Sequence, residues 1–212
     1  MDIITKIRNQ ITSEEFDYQL LVSCLSEYAN PRSKIRDLSR KGIIIRVKKG
    51  IYIFGDQYRR SYYSREILAN WIYGPSLVSM ETMLSYYGLI PERVDALTST
   101  TTKRPKEFNT PVGLFTYQQV PLAWYTIGIN RIENPGGMYL AASPERALAD
   151  KVLHDLHNHL QSLKDASAYL FEDLRLDEDG FRQMDPDILF ELARVGKSRK
   201  TEFCARLLKK MK

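Results

Sequence analysis

The hydrophobic positions of the first 55 residues change period twice. Ile3, Ile4, Ile7 and Ile11 recur at helical spacing, which predicts a short first helix over residues 2–10. Thr12 and Ser13, followed by Glu14 and Glu15, offer a new N-cap. Phe16, Leu20, Leu21, Cys24, Leu25 and Tyr28 then form the inner stripe of a second amphipathic helix. Asn30 is a good N-cap for a third, Pro31 suits its first position, and Gly42 can take the left-handed conformation that closes it. Within this third helix Ile35 and Leu38 share one face. The period then falls to that of strands. Ile43–Val47 and Ile51–Phe54 are β-branched or aromatic runs, and Lys48, Lys49 and Gly50 between them read as a three-residue hairpin loop.

Residues 55–65 are polar and aromatic without a period, as expected of a linker. Ile67, Leu68, Trp71 and Ile72 then predict a helix ending at Gly74-Pro75. A short extended piece and a helix capped by Ser79 and stopped by Gly88 follow. Strand-like segments dominate the next stretch: Val94–Thr100, Val112–Gln118, Trp124–Arg131 and Met138–Ala141, separated by turn formers. Ser143-Pro144-Glu145 opens a helix with Ala147, Leu148, Val152 and Leu153 inward. The remainder reads as helical, over roughly 160–174, 178–183, 186–195 and 198–211.

The outward face of the third helix gives the first hint of chemistry. It carries Ser33, Arg36, Asp37 and Arg40, with Arg32 on its shoulder. Arginine pairs bidentately with guanine in the major groove, and serine bonds bases or phosphates. Lys48 and Lys49, at the hairpin tip, would reach flanking phosphate. A solvated basic face is the plainer reading of any one of these arginines. A helix, a glycine stop and a basic hairpin in succession favour a winged helix-turn-helix.

Charge distribution sharpens that picture. The net charge of +5 is uneven: residues 30–65 hold 11 Lys/Arg against two Asp/Glu, whereas residues 66–193 hold 10 against 18. Such clustering is the electrostatic footprint of nucleic-acid binding. A second basic element, Lys197–Lys212, is an amphipathic helix with Phe203, Leu207, Leu208 and Met211 on one stripe; it could dock on the acidic middle, on DNA or on an acidic partner. The 18 acids of the middle region read as a solvated or partner-facing surface.

Other classes find less support. At 43% hydrophobic and 27% charged the composition is that of a globular chain. No apolar run approaches the roughly 20 residues of a membrane span. Met-Asp-Ile-Ile-Thr-Lys has no signal-peptide core, so a cytoplasmic location is expected. Cys24 and Cys204 fall in apolar helical patterns and read as buried thiols. His154, His157 and His159 with Asp150 and Asp155 form the one metal-like cluster, yet nothing completes a tetrahedral set. They read better as surface helix residues. Phosphate loops, dinucleotide fingerprints and His-Glu-x-x-His are missing. No catalytic residue, metal or cofactor is therefore expected.

The order of four segments resembles a known family. These are Gly-Ile-Ile-Ile-Arg-Val-Lys-Lys-Gly-Ile-Tyr at 42–52, Tyr73 through Glu92 with its Gly-Leu-Ile-Pro turn, the Val94–Thr100 strand followed by Lys103 and Arg104, and Ala142-Ser-Pro-Glu-Arg-Ala-Leu-Ala-Asp150. Across residues 14–155 the chain resembles the AbiEi-type antitoxin and transcriptional regulator family of type IV toxin–antitoxin systems. The resemblance implies an N-terminal winged domain that binds operator repeats in double-stranded DNA and represses its operon. It also implies a C-terminal domain tied to neutralising a nucleotidyltransferase-like toxin. Arg32, Ser33, Arg36 and Arg40 would then lie on the recognition helix, and Lys48 and Lys49 on the wing.

The expected fold class is α+β. Residues 1–60 would be a winged helix-turn-helix domain, and residues 61–212 a mixed α/β domain with a small, mainly antiparallel sheet and a helical tail. The expected function is a sequence-specific repressor and antitoxin, not an enzyme and not membrane-bound, acting on repeats as a homodimer or as paired monomers. Two alternatives remain: a stand-alone regulator whose C-terminal domain senses a ligand or protein, and a nucleic-acid-processing enzyme.

Overall fold

A computed structural model describes residues 2–156 and 159–212. The first 54 residues run α1 (Ile3–Gln10), β1 (Glu15–Asp17), α2 (Tyr18–Cys24), α3 (Pro31–Arg40), β2 (Ile44–Lys48) and β3 (Ile51–Phe54). The strands form an antiparallel sheet in the order β1-β3-β2. Phe16, Leu21, Leu25, Ile35, Leu38, Ile44, Tyr52 and Phe54 build a core between this sheet and the helices. Residues 14–17 depart from the predicted second helix. Phe16 pairs with Tyr52 across the sheet, and its ring lies 4.6 Å from that of Phe54. Asp17, not Thr12 or Ser13, caps α2, accepting from the Leu20 amide at 2.8 Å.

Residues 55–64 are no loose linker. Gly55 follows β3 so closely over the end of α3 that an added Cβ would stand 1.9 Å from the Gly42 carbonyl oxygen. Buried Arg8 donates to the Tyr58 carbonyl oxygen and, at 2.6 Å, to buried Glu14. The other Glu14 oxygen accepts from the Arg60 and Ser61 amides, and Glu15 accepts from the Ser64 amide. The two glutamates expected to open a helix instead anchor the connection between the two halves of the chain.

The rest comprises α4 (Arg65–Ile72), β4 (Ser76–Val78), α5 (Glu81–Tyr86), β5 (Leu97–Thr101), β6 (Lys106–Thr110), β7 (Gly113–Gln119), α6 (Leu122–Tyr125), β8 (Ile129–Asn134), β9 (Gly137–Ala142), α7 (Pro144–His154), α8 (Leu163–Ala168), a π-helical turn (Tyr169–Asp173), α9 (Glu178–Gln183), α10 (Pro186–Gly196) and α11 (Arg199–Met211). The architecture is mixed α and β, consistent with α+β. The six strands order as β6-β7-β5-β4-β9-β8. Pairs β6–β7, β4–β5 and β8–β9 are antiparallel, whereas β5–β7 and β4–β9 are parallel. The sheet is thus mixed, and larger than expected. The predicted strand at Trp124–Arg131 divides into α6 and the start of β8, and β6 was not foreseen.

A polar network fixes the centre of this half. The fully buried Arg146 and Asp150 pair at 2.8 Å on α7. Arg146 also donates to the Trp124 and Ile127 carbonyl oxygens. Asp150 accepts from Ser79 Oγ at 2.6 Å, Thr100 Oγ1 at 3.1 Å and Trp124 Nε1 at 2.6 Å. Ser79 is thereby taken from its expected capping role: Met80, with φ +53° and no capping side chain, precedes α5 instead. Replacing Asp150 with alanine strands a buried guanidinium. Such a loss costs roughly 3–5 kcal/mol, and urea unfolding of Asp150→Ala should show a drop of that size. Asp150→Asn, which keeps some acceptors, should lose less.

Glu14 gives a pH signature. Burial opposes its ionisation, but hydrogen bonds from Arg8 and from the Arg60 and Ser61 amides, together with the Arg8 charge, outweigh this and hold the carboxyl below its ordinary 4.5. The folded state therefore releases this proton more readily than the unfolded state. Glu14 contributes stability above pH 4.5 that disappears as pH falls through the folded-state value. Glu14→Gln should lower stability at neutral pH and flatten the acid limb of stability against pH, read by denaturant titration. An unchanged acid limb would rule out this role.

Candidate nucleic-acid interface

Helix α3 is built as its sequence predicts. Asn30 accepts from the Ser33 amide at 3.1 Å, Pro31 occupies the first turn, and Gly42 has φ +68°. Ile35 and Leu38 are buried, which turns Arg32, Arg36 and Arg40 to solvent; Ser33 is half-buried among them. Arg40 bonds Asp37 at 3.1 Å, but Arg40 is 77% exposed, and an exposed pair of this kind is worth little and exchanges readily.

The hairpin beside α3 presents cations on both faces. β2 and β3 pair Arg46 with Tyr52 and then Lys48 with Ile51, so two residues of β2 oppose one step of β3. The turn is Lys49-Gly50, with Gly50 at φ +88°, one residue shorter than expected. Before the irregularity, Arg46 lies on the α3 side. Arg32, Arg46, Lys49, Gly50, Tyr18 and Tyr52 line a groove of about 510 Å³. Arg46 was missed in the sequence, although its place two residues beyond buried Ile44 in an alternating strand was a usable signal.

Lys48 departs from its expected role at the tip. The bulge turns it toward the larger half of the chain, where its ammonium donates to the Ile72 carbonyl oxygen and lies 4.4 Å from the centre of the Phe108 ring. Burial, then the charges of Lys106 and Lys103, push its pKa down. The side chains singled out in sequence thus divide: Arg32, Ser33, Arg36, Arg40 and Lys49 stay on or beside α3, and Lys48 belongs to the joint.

A second cleft, of about 570 Å³, opens on the larger half between Glu81, Ile90, Val94, Thr98, Thr116 and Lys151. Lys151 bridges Glu81 at 2.9 Å and Asp155 at 3.2 Å. Burial opposes its charge, but the two carboxylates outweigh it and raise its pKa, so it is held as an ammonium and not as a base. His154 lines a neighbouring, smaller cavity that shares Glu81, Thr98, Thr116 and Lys151 with this cleft; burial pushes its pKa down, and it is half-buried rather than a surface residue. His157, expected beside it, lies outside the described residues. Among the described residues no three His, Cys, Asp or Glu side chains are grouped to hold a metal ion, and no helix is long and apolar enough to cross a membrane. Cys24 and Cys204 are both buried free thiols.

No family model matches the chain, and no curated protein matches it. Among solved structures it is similar to the crystal structure of the RV2827C protein from Mycobacterium tuberculosis, with a TM-score of 0.62. The identity is 15%, over 98% of this chain and 74% of that one. This likeness is one of fold.

Proposed function

We propose that residues 1–60 form a winged helix-turn-helix domain and that the chain is a sequence-specific DNA-binding repressor. The observation that carries this reading is the placement of α3. It stands beside a β hairpin with Arg32, Arg36 and Arg40 outward and Arg46 and Lys49 flanking it. The order helix, strand, helix, helix, strand, strand suits docking of α3 in the major groove. Lys49, Arg46 and Arg32 contact phosphate and set the register, while Arg36 and Arg40 read base edges. Arg40 exchanges its weak bond to Asp37 for a base or phosphate.

The resemblance to AbiEi-type regulators extends the proposal. On it, the chain is the cytoplasmic antitoxin of a type IV system, binds operator repeats as a homodimer or as paired monomers, and offsets a nucleotidyltransferase-like toxin through residues 61–212. A different reading draws on the 570 Å³ cleft, which has the size and mixed lining of a small-molecule site. There the larger half senses a ligand and no toxin is involved. Co-expression with the product of the adjacent reading frame separates the two: rescue of a growth defect supports the antitoxin, and no defect to rescue supports the sensor.

A gel-shift titration against the chain's own upstream DNA, with random duplex as competitor, tests the core proposal. Arg36→Ala and Arg40→Ala should each lose about 1–3 kcal/mol of specific affinity. Arg46→Ala and Lys49→Ala should weaken upstream and random duplex alike. Equal losses on both duplexes for all four variants would refute the assigned groove, and absence of any duplex binding would refute the reading as a whole.

A further inference from the structure

The large sheet ends on an open edge at β8. Its residues alternate strictly: Ile129, Arg131 and Glu133 are exposed, whereas Asn130, Ile132 and Asn134 are half-buried. The half-buried set is engaged inside the chain. Asn130 donates to the Tyr87 hydroxyl at 3.3 Å, Ile132 packs on the larger core, and Asn134 donates to Ser64 Oγ at 2.9 Å. The charges of the exposed set are not so engaged. Arg131 and Glu133 form no ion pair among the described residues, and the Arg131 guanidinium rests 3.3 Å from Met138 Sδ. Exposed Ile129, Met138 and Leu140 stand on the same face.

The register shows which backbone groups of this edge are open. Leu140 lies directly opposite Arg131. Its N–H donates to Asn70 Oδ1 at 2.6 Å, and its carbonyl oxygen accepts from Asn70 Nδ2 at 3.2 Å, so the Arg131–Leu140 pair is not a hydrogen-bonded one. Such pairs alternate along an antiparallel ladder. The N–H and C=O groups of Ile129, Arg131 and Glu133 therefore point away from β9, and no strand among the described residues pairs with that side of β8. Proteins blunt an edge of this kind with a bulge, a proline or an inward charge. The small sheet has its bulge in edge strand β2, but β8 pairs from Ile129 to Asn134 without a register shift.

We propose that β8 pairs antiparallel with β8 of a second copy of the chain, about a twofold axis at Ile132. In that register Arg131 of each copy stands opposite Glu133 of the other, and each such pair exchanges two backbone hydrogen bonds. An axis at Arg131 or at Glu133 would instead set like charges directly opposite each other, which is destabilising. The charges that guard the edge against other strands thus select this one. Met138 and Leu140, on the neighbouring strand, flank the two ion pairs on the same face. The contact is isologous, a symmetry that suits paired half-sites in a duplex. It supplies the interface for the homodimer in the reading above, but needs no DNA, so either can fail without the other.

The test is the mass of the full chain in solution without DNA, by analytical ultracentrifugation across a range of concentration and salt. Wild type should form a concentration-dependent dimer that weakens as salt rises, because exposed ion pairs are screened. Arg131→Glu leaves only acids facing each other across the axis, and Glu133→Arg leaves only guanidinium groups. Each should weaken the dimer by about tenfold or more. Mixing the two variants, or joining both substitutions in one chain, sets opposite charges across the axis again and should restore the dimer. That recovery separates lost pairing from lost folding. A chain that stays monomeric up to its limit of solubility would overturn the proposal and leave this edge to a strand from another protein. A dimer unmoved by either single substitution would overturn it too, as would one that neither mixing nor the double swap restores.

Discussion

Strand β3 has no solvent side. Tyr52 and Phe54 point into the core shared with α2 and α3, while Ile51 and Ile53 point into the larger core with Ile67 and Leu68 of α4. A four-residue strand whose alternate side chains feed two cores fixes the halves of the chain against each other more firmly than a linker would. It also fixes α3, because a register slip of one residue would exchange the two sets of side chains. The Arg8–Glu14 and Glu15–Ser64 contacts reinforce the same joint from its rim. The outward direction of Arg32, Arg36 and Arg40 therefore depends on how β3 is buried.

The bulge in β2 is the second determinant. An even ladder would keep Arg46 and Lys48 on the same face and leave both with α3. One extra residue sends Lys48 across to Phe108 and Tyr73 instead. Cations consequently stand on both sides of the hairpin. A half-buried lysine bonded to a helix-end carbonyl is a costly way to join two cores. Here the cost is lessened by the α4 dipole and by the two aromatic faces, without the carboxylate that would cancel the positive field outside.

What could be read in advance follows from how local each determinant is. Asn30, Pro31 and Gly42 bound α3 through contacts within a few residues, and Gly50 sets its turn by its own φ; these were legible. β1 was not, because its three residues adopt strand geometry only by pairing with β3, about 36 positions away. β6 was hidden by its composition: Lys106-Glu107-Phe108-Asn109-Thr110 has one apolar residue, as an edge strand permits. The bulk of Trp124 suggests a strand, yet its indole nitrogen serves Asp150 from a short helix. In the candidate site, Arg46 carried a readable alternation signal, whereas the displacement of Lys48 by a bulge carried none.

The acidic middle of the chain changes meaning once its partners are known. Asp150 is consumed by Arg146 in the core, and buried Glu145 accepts from the Asp185 amide. Glu81 and Asp155 hold Lys151, Glu92 holds Arg175, and Glu178 and Asp179 hold Arg182. These seven of the 18 acids between residues 66 and 193 are engaged inside the chain, leaving less of the partner-facing acidic surface that composition suggested. Arg32, Arg36, Arg46, Lys49, Arg104 and Lys106 have no such partners among the described ion pairs. Internal pairing therefore uses up acids on the larger half and spares cations along α3, the hairpin and β6. The field outside those elements is more positive than a net charge of +5 implies.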